Sequence, residues 1–190
     1  MQKMFKARCS AREYQLQGKA YPFPDMTYEL CPHCRRDFLK KHGYYQRYLI
    51  LLEFAGEIEI RRYICTECNK TVSLLPSFAH PGKSYGTKFI MGIFNEFYIS
   101  GNPVCDSVRN FTNGIASCSR QLLRHYRKRI KQNLNMLIMG VVNVLGLRCP
   151  PVTSENKKMQ VRQFLEYVTS SPEDISLKLF EYSQKTYLTA

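Results

Sequence analysis

Acidic residues are scarce in this chain of 190 residues, which has 15 Asp and Glu against 28 Lys and Arg. The formal net charge of +13 favours a polyanionic partner, either nucleic acid or an anionic membrane surface. The alternative is a basic protein whose charged surface is only solvated. Nucleases and transposases of the retroviral type need clustered carboxylates for two metal ions. The segment 84–147 offers only Glu96 and Asp106, so this chemistry is not expected.

Long apolar runs are missing as well. The N-terminal stretch MQKMFKARCSAREYQLQ lacks the apolar region of a secretory signal. The longest apolar run, residues 136–145, is too short to span a bilayer and contains Asn143. We therefore expect a cytoplasmic protein with no membrane partner.

Enzyme signatures are a third absence. The sequence has no Gly-rich phosphate loop, no G-x-S-x-G elbow and no H-E-x-x-H motif. The H-x-E that accompanies P-C-x-x-C in zinc deaminases is also missing. We expect no catalytic residues and no enzyme activity of the chain's own.

Two CxxC pairs are the most informative feature that is present. Cys31 and Cys34 lie in C-P-H-C, and Cys65 and Cys68 lie in C-T-E-C. Two such pairs supply the four thiolates that structural Zn²⁺ prefers, at bond lengths of about 2.3 Å. In a reducing compartment the pairs favour a metal over disulfides, and unrelated core or redox cysteines are the alternative. We expect one structural Zn²⁺ with no open coordination position, and His33 in the second shell or exposed.

The residues between and after the two pairs predict a small β unit. Alternation predicts one strand over 44–54, a turn at 55–57, a second strand over 57–64 and a short third strand over 71–75. Pro76 should stop the third strand. The side chains expected on the buried faces are Tyr48, Ile50, Leu52 and Phe54 in the first strand and Ile58, Ile60 and Ile64 in the second.

The segment 84–147 predicts helices. Apolar residues at helical spacing predict a first helix that contains Phe89, Ile90, Ile93, Phe94 and Phe97. S-G-N-P at 100–103 should end it and start a short second helix, with Asn102 as N-cap and Pro103 as first residue. Val104, Val108 and Phe111 would form the apolar face of that helix, and Cys105 and Cys118 would be small core residues. Asn113-Gly114 would be a turn, and Ser117 or Ser119 would cap a long third helix.

The start of this third helix is strongly basic, with six Lys or Arg and no acid in residues 119–131. The basic residues fall on one helical stripe, which comprises Arg120, Arg124, Arg127, Lys128 and Lys131. An apolar stripe on another side comprises Leu123, Tyr126, Ile130, Leu134 and Leu137. With the preceding short helix and turn, this pattern indicates a helix-turn-helix whose third helix contacts DNA, where Gln121 and His125 could also contact base edges. A solvated basic face is the alternative.

The β unit adds further basic residues, of which Arg35, Arg36 and Arg47 are candidate DNA contacts. Tyr44, Tyr45 and Tyr48 lie among these charges. They could stack bases or grip a phosphate backbone, and they could equally be ordinary sheet-forming residues.

The C-terminal part predicts two amphipathic helices over 159–168 and 172–187, the second beginning after Ser171. The apolar run 136–145 would pack against them or form a homodimer contact. The resulting fold class is α+β. Its expected parts are a lead-in over 1–30 that is ambiguous in its first twenty residues, a zinc ribbon over 31–83, a helix-turn-helix-like domain over 84–147 and a helical tail over 148–190.

Residues 31–81, with C-P-H-C, R-R-Y-I-C-T-E-C and L-P-S-F-A-H-P, resemble the N-terminal zinc ribbon of bacterial insertion-sequence transposases. They are more closely similar to a bacterial family of uncharacterised, transposase-associated zinc-ribbon proteins, and 119–129 is similar to the helix that follows in such proteins. The resemblance implies Zn²⁺ at the four cysteines and DNA as the partner. In full transposases an RNase H-like catalytic domain follows, and this chain has no matching acidic triad. We therefore expect a DNA-binding protein of a mobile element, and leave open an active component of transposition with a transposase partner or a protein-interaction adaptor.

Overall fold

The computed structural model describes residues 1–101, 103, 106–107, 119–146, 154–168 and 172–183. The strands are β1 (Gln2–Phe5), β2 (Leu39–Ile50), β3 (Ala55–Cys65) and β4 (Thr71–Pro76). The helices are α1 (Ala11–Gln17), α2 (Thr87–Tyr98), α3 (Arg120–Leu145), α4 (Lys157–Val168) and α5 (Pro172–Ser183), with a 3-10 turn at Gly18–Ala20. A four-stranded sheet near the N-terminus is thus followed by helices, which confirms the predicted α+β class.

The sheet has the strand order β1-β4-β3-β2. β2 and β3 form the antiparallel hairpin expected between the cysteine pairs, and β4 adds antiparallel to β3. β4 ends at Pro76, close to the predicted end of this strand. β1 comes from the ambiguous first twenty residues and adds to β4 in parallel, with Met4 opposite Leu75. The N-terminal segment therefore contributes a strand to the same sheet as the ribbon.

The predicted bounds of the first hairpin strand are wrong. β2 begins at Leu39 and ends at Ile50, well before the predicted end. The turn then closes through a 2.7 Å hydrogen bond from Leu51 N to Phe54 O. Leu52 and Phe54 therefore belong to the turn. The error arises because a continuous aromatic and β-branched run does not mark where the chain reverses.

The predicted buried face of β2 is also wrong. Leu49 is 0% exposed, whereas Tyr48 is 52% exposed. Pairing fixes this choice, because Leu49 lies opposite Gly56 and Arg47 opposite Ile58, which is buried. A strand alternates its side chains between faces, so an error of one residue moves the whole apolar set to the other face.

In β3 the buried positions change faces along the strand. Ile58 and Ile60 are buried as predicted, but Ile64 is only half-buried, and Tyr63 and Cys65 are buried instead. The C-terminal half of β3 pairs with β4. There the strand buries the face that carries Tyr63 and Cys65, which is opposite to the face that carries Ile58 and Ile60. The sheet therefore carries two cores. One includes Met4, Leu49, Ile58, Ile60, Leu75 and Phe78. The other includes Met26, Leu39, Tyr63, Val72 and Leu74 together with the cysteine pairs.

The helices form a third core around α3. Ser119 is the N-cap of α3, since its hydroxyl accepts a 3.2 Å hydrogen bond from Leu122 N. The predicted apolar stripe of α3 is buried at every position, namely Leu123, Tyr126, Ile130, Leu134 and Leu137. α2 supplies the facing side chains as predicted, with Phe89, Ile90, Ile93, Phe94 and Phe97 all buried.

The C-terminal helices cover the apolar run at the end of α3. Leu137 and Val141 lie in one core with Leu179 of α5, and a Cβ on Gly140 would lie 2.2 Å from Leu179 Cδ2. Burial against the C-terminal helices is therefore confirmed for this face, while Met139 is exposed. α5 also places Leu177 and Phe180 in the core of the sheet, so it joins the two parts of the fold. α4 begins two residues earlier than predicted, at Lys157, and α5 ends at Ser183.

Several predictions fall outside the described residues. They are the cap at Asn102, the apolar face of the short helix (Val104, Val108, Phe111), the turn at 113–114, the alternative cap Ser117, the core positions Cys105 and Cys118, Ser171, and the final residues 184–187. Asp106 and Ser107 are helical, and Ser107 N donates to Pro103 O at 2.8 Å. The helix-turn-helix thus stays a prediction.

Among the described helices, none combines the length and the apolar character that crossing a bilayer requires.

Candidate metal centre and basic helix

The two cysteine pairs lie on matching turns at one end of the sheet. The first pair precedes β2, and its turn closes through Arg35 N to Cys31 O at 2.9 Å. The second follows β3 and closes through Cys65 N to Lys70 O at 3.0 Å. Arg35 (φ 56°) and Asn69 (φ 54°) each directly follow the second cysteine of a pair. No other non-glycine residue in the described part of the chain has positive φ, so the two turns share one uncommon backbone conformation.

The four sulfur atoms converge on one point. The Sγ atoms of Cys31 and Cys68 are 3.7 Å apart, and those of Cys34 and Cys65 are 3.6 Å apart. All four ligand atoms lie within 4.8 Å of one another. Tetrahedral coordination at about 2.3 Å separates the ligand atoms by about 3.8 Å. The site can therefore hold one metal ion, and the sulfurs are too far apart for a disulfide.

The thiols titrate very differently from one another. Burial opposes ionisation of Cys31, but N–H donors of Cys34 and His33 outweigh it and lower its pKa to about 6. A hydrogen bond from Lys70 favours the thiolate of Cys68, yet burial and the neighbouring thiols raise its pKa to about 12. The first thiolate therefore hinders the others. A bound cation would favour ionisation of the whole set, as expected for a metal centre.

The surroundings of the sulfurs are closed. Cys31 and Cys65 are buried, and Met26, Leu39 and Tyr63 pack around them. The imidazole of His33 is exposed, one of the two outcomes expected for it, while its backbone N donates to Cys31 Sγ at 3.4 Å. Cys34 and Cys68 are half-buried, and four protein thiolates around one ion would leave no coordination position open.

The exposed face of the basic helix α3 contains part of the predicted stripe, namely Arg124 and Lys128. Among the side chains of α3 that the structure describes, the exposed ones are Gln121, Arg124, His125, Lys128, Gln132, Asn135, Met139 and Asn143. Arg120 begins the helix, and Lys131 and Arg127 are half-buried at the border with the core. Arg127 and Lys131 of the predicted stripe therefore lie at the edge of the exposed face and not on it. A stripe drawn through basic residues alone does not show where the buried face ends.

Arg127 is turned into the protein. Its guanidinium carbon lies 3.8 Å from the ring centre of Phe97 in α2, and Lys158 of α4 lies 5.1 Å from the same ring. Two cations, one from α3 and one from α4, thus pack on a single ring of α2 and link the three helices. The structure therefore removes Arg127 from the exposed basic face.

Three basic residues of the β unit were candidates for DNA contact. Arg35 and Arg36 are exposed beside the first cysteine pair. Arg47 is half-buried, and its guanidinium donates to the carbonyls of His80 and Lys83. Burial lowers the pKa of Arg47. Arg47 is thus engaged inside the protein and is not placed to contact DNA.

The tyrosines of the hairpin have mixed surroundings. The ring of Tyr44 packs on Phe23 at 5.7 Å and on the guanidinium of Arg61 at 4.5 Å. Tyr45 is half-buried and Tyr48 is exposed. Packing accounts for Tyr44, in keeping with its interpretation as a sheet-forming residue, and leaves Tyr48 as the free aromatic of the three.

Several residues of the basic surface were not among the predicted DNA contacts. Gln132 and Asn135 extend the exposed face, and Arg129 lies on its flank. Lys83, from the loop between β4 and α2, lies 5.4 Å from the ring of Tyr126. The buried side of α3 predicts the exposure of Gln132 and Asn135, but no local pattern indicates that Lys83 joins them.

The charges on this surface repel one another. Desolvation lowers the pKa of His125, and so do nearby positive charges, which belong to Lys83, Arg129 and Lys128. Burial and the charge of Arg129 also lower the pKa of Lys83. α3 contains no acidic residue, and in the described structure none of these four groups has a carboxylate partner. This uncompensated positive charge favours the binding of an anion.

Comparison with known proteins gives one match. Residues 31–111 match the model of a family described as a domain of unknown function, DUF6431, which covers less than half of the chain. No curated protein and no solved structure matches. The matched stretch includes all four cysteines and α2 but ends before α3.

Proposed function

We propose that the protein binds duplex DNA through the exposed face of α3, that its four cysteines hold a structural Zn²⁺, and that it belongs to a bacterial mobile element. One observation carries the proposal: the exposed face from Gln121 to Asn135 has only Arg, Lys, His and amide side chains, while the opposite face is buried. The mobile-element origin rests on the resemblance of the ribbon motifs.

The dimensions of α3 suit a major groove. The helix has 26 residues and, with its side chains, a diameter of about 10–12 Å. The major groove is about 12 Å wide and admits one helix. Arg and Gln or Asn are the side chains that pair with guanine and adenine edges, and Lys supplies phosphate contacts. The polar half of α3 thus offers both kinds of group on one face.

The metal would act as a support. Thiolates in a tetrahedral set select Zn²⁺ over harder cations, and such sites contribute folding free energy directly. Arg35 and Arg36 lie beside it and would add phosphate contacts. Within the part of the chain that the structure describes, the four cysteines are the one group of potential metal ligands found. We propose a binding protein, which could work with a separate transposase.

One observation favours the adaptor alternative. Tyr28 is 84% exposed, and Leu30 and Phe38 beside the first cysteine pair are about half exposed and lie opposite each other in an isolated bridge. Exposed apolar residues of this kind can bind another protein. An adaptor would use this surface and would not need α3.

The test measures binding of a fluorescein-labelled duplex by anisotropy over a series of salt concentrations. Log affinity should fall with log salt by about 0.9 for each phosphate neutralised. The double substitution Arg124→Ala and Lys128→Ala should weaken binding and flatten this slope. The control is Lys157→Ala with Lys178→Ala, which removes the same charge from exposed positions of α4 and α5. Wild-type protein that does not bind, or that binds independently of salt, would favour the adaptor.

A further inference from the structure

The loop between β4 and α2 is fixed in place by the end of β2. Ile50 N donates to Ser84 O at 2.8 Å, and Gly86 N donates to Ile50 O at 3.0 Å. At its base, Thr87 N donates to Phe78 O at 3.3 Å. The loop of residues 79–86 is therefore held at both ends.

Arg47 braces the middle of the same loop. One of its terminal nitrogens donates to His80 O at 2.6 Å and to Lys83 O. Lys83 N also donates to His80 O at 3.2 Å, which closes a turn around the guanidinium. A charged nitrogen that donates to both carbonyls ties His80 to Lys83 and so fixes the backbone at Lys83.

The turn directs Lys83 onto α3. Its ammonium lies over the ring of Tyr126, which adjoins His125 on the exposed face of the helix and Arg129 on the flank of that face. His125 and Arg129 are four residues apart and so lie beside each other on the surface of α3. The charge of Lys83 lowers the pKa of His125, and the charge of Arg129 lowers the pKa of Lys83. Three cationic or hydrogen-bonding groups from two elements thus meet beside the face that we propose for DNA, and the described residues place no carboxylate on them.

We propose that Lys83, His125 and Arg129 form a phosphate-binding site, which holds one backbone phosphate of bound DNA. Arg47 is the positioning residue of this site, because it fixes the loop that carries Lys83. The identity of the ligand as DNA rests on the proposed function. The site lies on the flank of α3, where a DNA backbone passes when the central face of a helix enters the groove. Such contacts set the register of a protein on the duplex and carry no sequence information.

The geometry can be tested without DNA by NMR titration of His125, one of four histidines, assigned from the spectrum of His125→Gln. Lys83→Met should raise the pKa of His125, because it removes a positive neighbour. Lys178→Met, an exposed charge loss on α5, should leave it unchanged. Inorganic phosphate should raise the pKa of His125 in the wild type and less in Lys83→Met. Equal titration of His125 in wild type and Lys83→Met would overturn the site.

Arg47→Lys keeps the charge, but its shorter side chain lacks the terminal nitrogen that donates to the carbonyls of His80 and Lys83. It should shift the pKa of His125 toward the value in Lys83→Met while zinc content and helical signal stay at wild-type levels. An Arg47→Lys protein that keeps the wild-type titration would show that Arg47 does not position Lys83.

The nucleic-acid part is tested by the salt slope. Lys83→Met should reduce the slope of log affinity against log salt by about 0.9, equally for unrelated duplex sequences, and Lys178→Met should not. If the wild type binds duplex with a steep slope that Lys83→Met leaves unchanged, the phosphate assignment fails while the proposed function stands. If phosphate shifts the pKa of His125 but no duplex binds, the phosphate site stands, while its assignment to DNA and the proposed function both fail.

Discussion

Thr66 and Asp37 join the two cysteine turns directly: Thr66 Oγ1 donates to Asp37 Oδ2 at 2.7 Å. The other carboxylate oxygen of Asp37 accepts a 2.8 Å hydrogen bond from Phe38 N. The bond from Thr66, and then that from Phe38, lower the pKa of Asp37, so the carboxylate is ionised at neutral pH. The two halves of the metal site are therefore linked by a hydrogen bond outside the sulfur atoms.

Loss of this link should weaken metal binding. Thr66→Val removes the donor and keeps the shape, so we expect the affinity for Zn²⁺ to fall roughly 10-fold, as for other outer-shell groups. Thr66→Ser keeps a hydroxyl and should retain most of the affinity. Competition with a colorimetric chelator measures both. Equal affinity in the Val and Ser variants would show that the link does not support the site.

The metal site itself should be essential for the β unit. The protein should contain one zinc per chain, and Cys65→Ser should abolish stoichiometric binding and unfold the ribbon, because the metal supplies folding free energy to a small sheet. Cys9→Ser is the matched control, since Cys9 is half-buried and lies outside the sulfur cluster. Metal analysis with circular dichroism gives the result. A zinc-free protein with an intact sheet would contradict the prediction.

The metal site could be predicted from the sequence because its geometry is local. A CxxC turn fixes two sulfurs by itself, and the hairpin between the pairs has only to bring the chain back. The apolar stripe of α3 was predictable for the same reason, since helical period alone places Leu123 and Ile130 on one face. The bounds of β2 were not, because the position of its turn depends on pairing with β3 and not on composition.

The basic surface was only partly predictable. Arg124 and Lys128 lie on the exposed face, but Arg127 lies at its border, and only the presence of Phe97 decides that its charge turns inward. Arg47 and Lys83 depend on contacts between elements that are distant in the chain. A single sequence contains no local pattern for such contacts, so both their roles emerge from the fold.

Arg124 and Arg127 should behave differently although both lie in the predicted stripe. Arg127→Ala removes a cation packed on Phe97 and should destabilise the protein by about 1–2 kcal/mol. Arg124→Ala alters an exposed side chain and should change stability by less than about 0.5 kcal/mol, while it weakens DNA binding. Urea unfolding of both variants beside the anisotropy assay separates the two effects. Equal stability of the two variants would show that the contact between Arg127 and Phe97 does not stabilise the fold, as expected if Arg127 lies on the exposed face.

His80 should make the protein sensitive to acid. Its imidazole is buried, and this burial, with Lys83 and Arg47 nearby, lowers its pKa from 6.5 to about 4. In the unfolded chain His80 becomes protonated below pH 6.5, whereas in the folded chain it becomes protonated only near pH 4. Stability should therefore be lost as the pH falls through this window, by at most about 1.4 kcal/mol per pH unit.

The check is urea unfolding of wild type and His80→Gln at several pH values in this window. The stability difference between them should shrink or reverse as the pH falls, because the glutamine side chain of the variant cannot titrate. Metal analysis at each pH confirms that both proteins keep their zinc, so that protonation of the thiols does not contribute. Parallel stability curves for the two proteins would show that His80 is protonated equally in the folded and unfolded chains, and so is not held neutral by its burial.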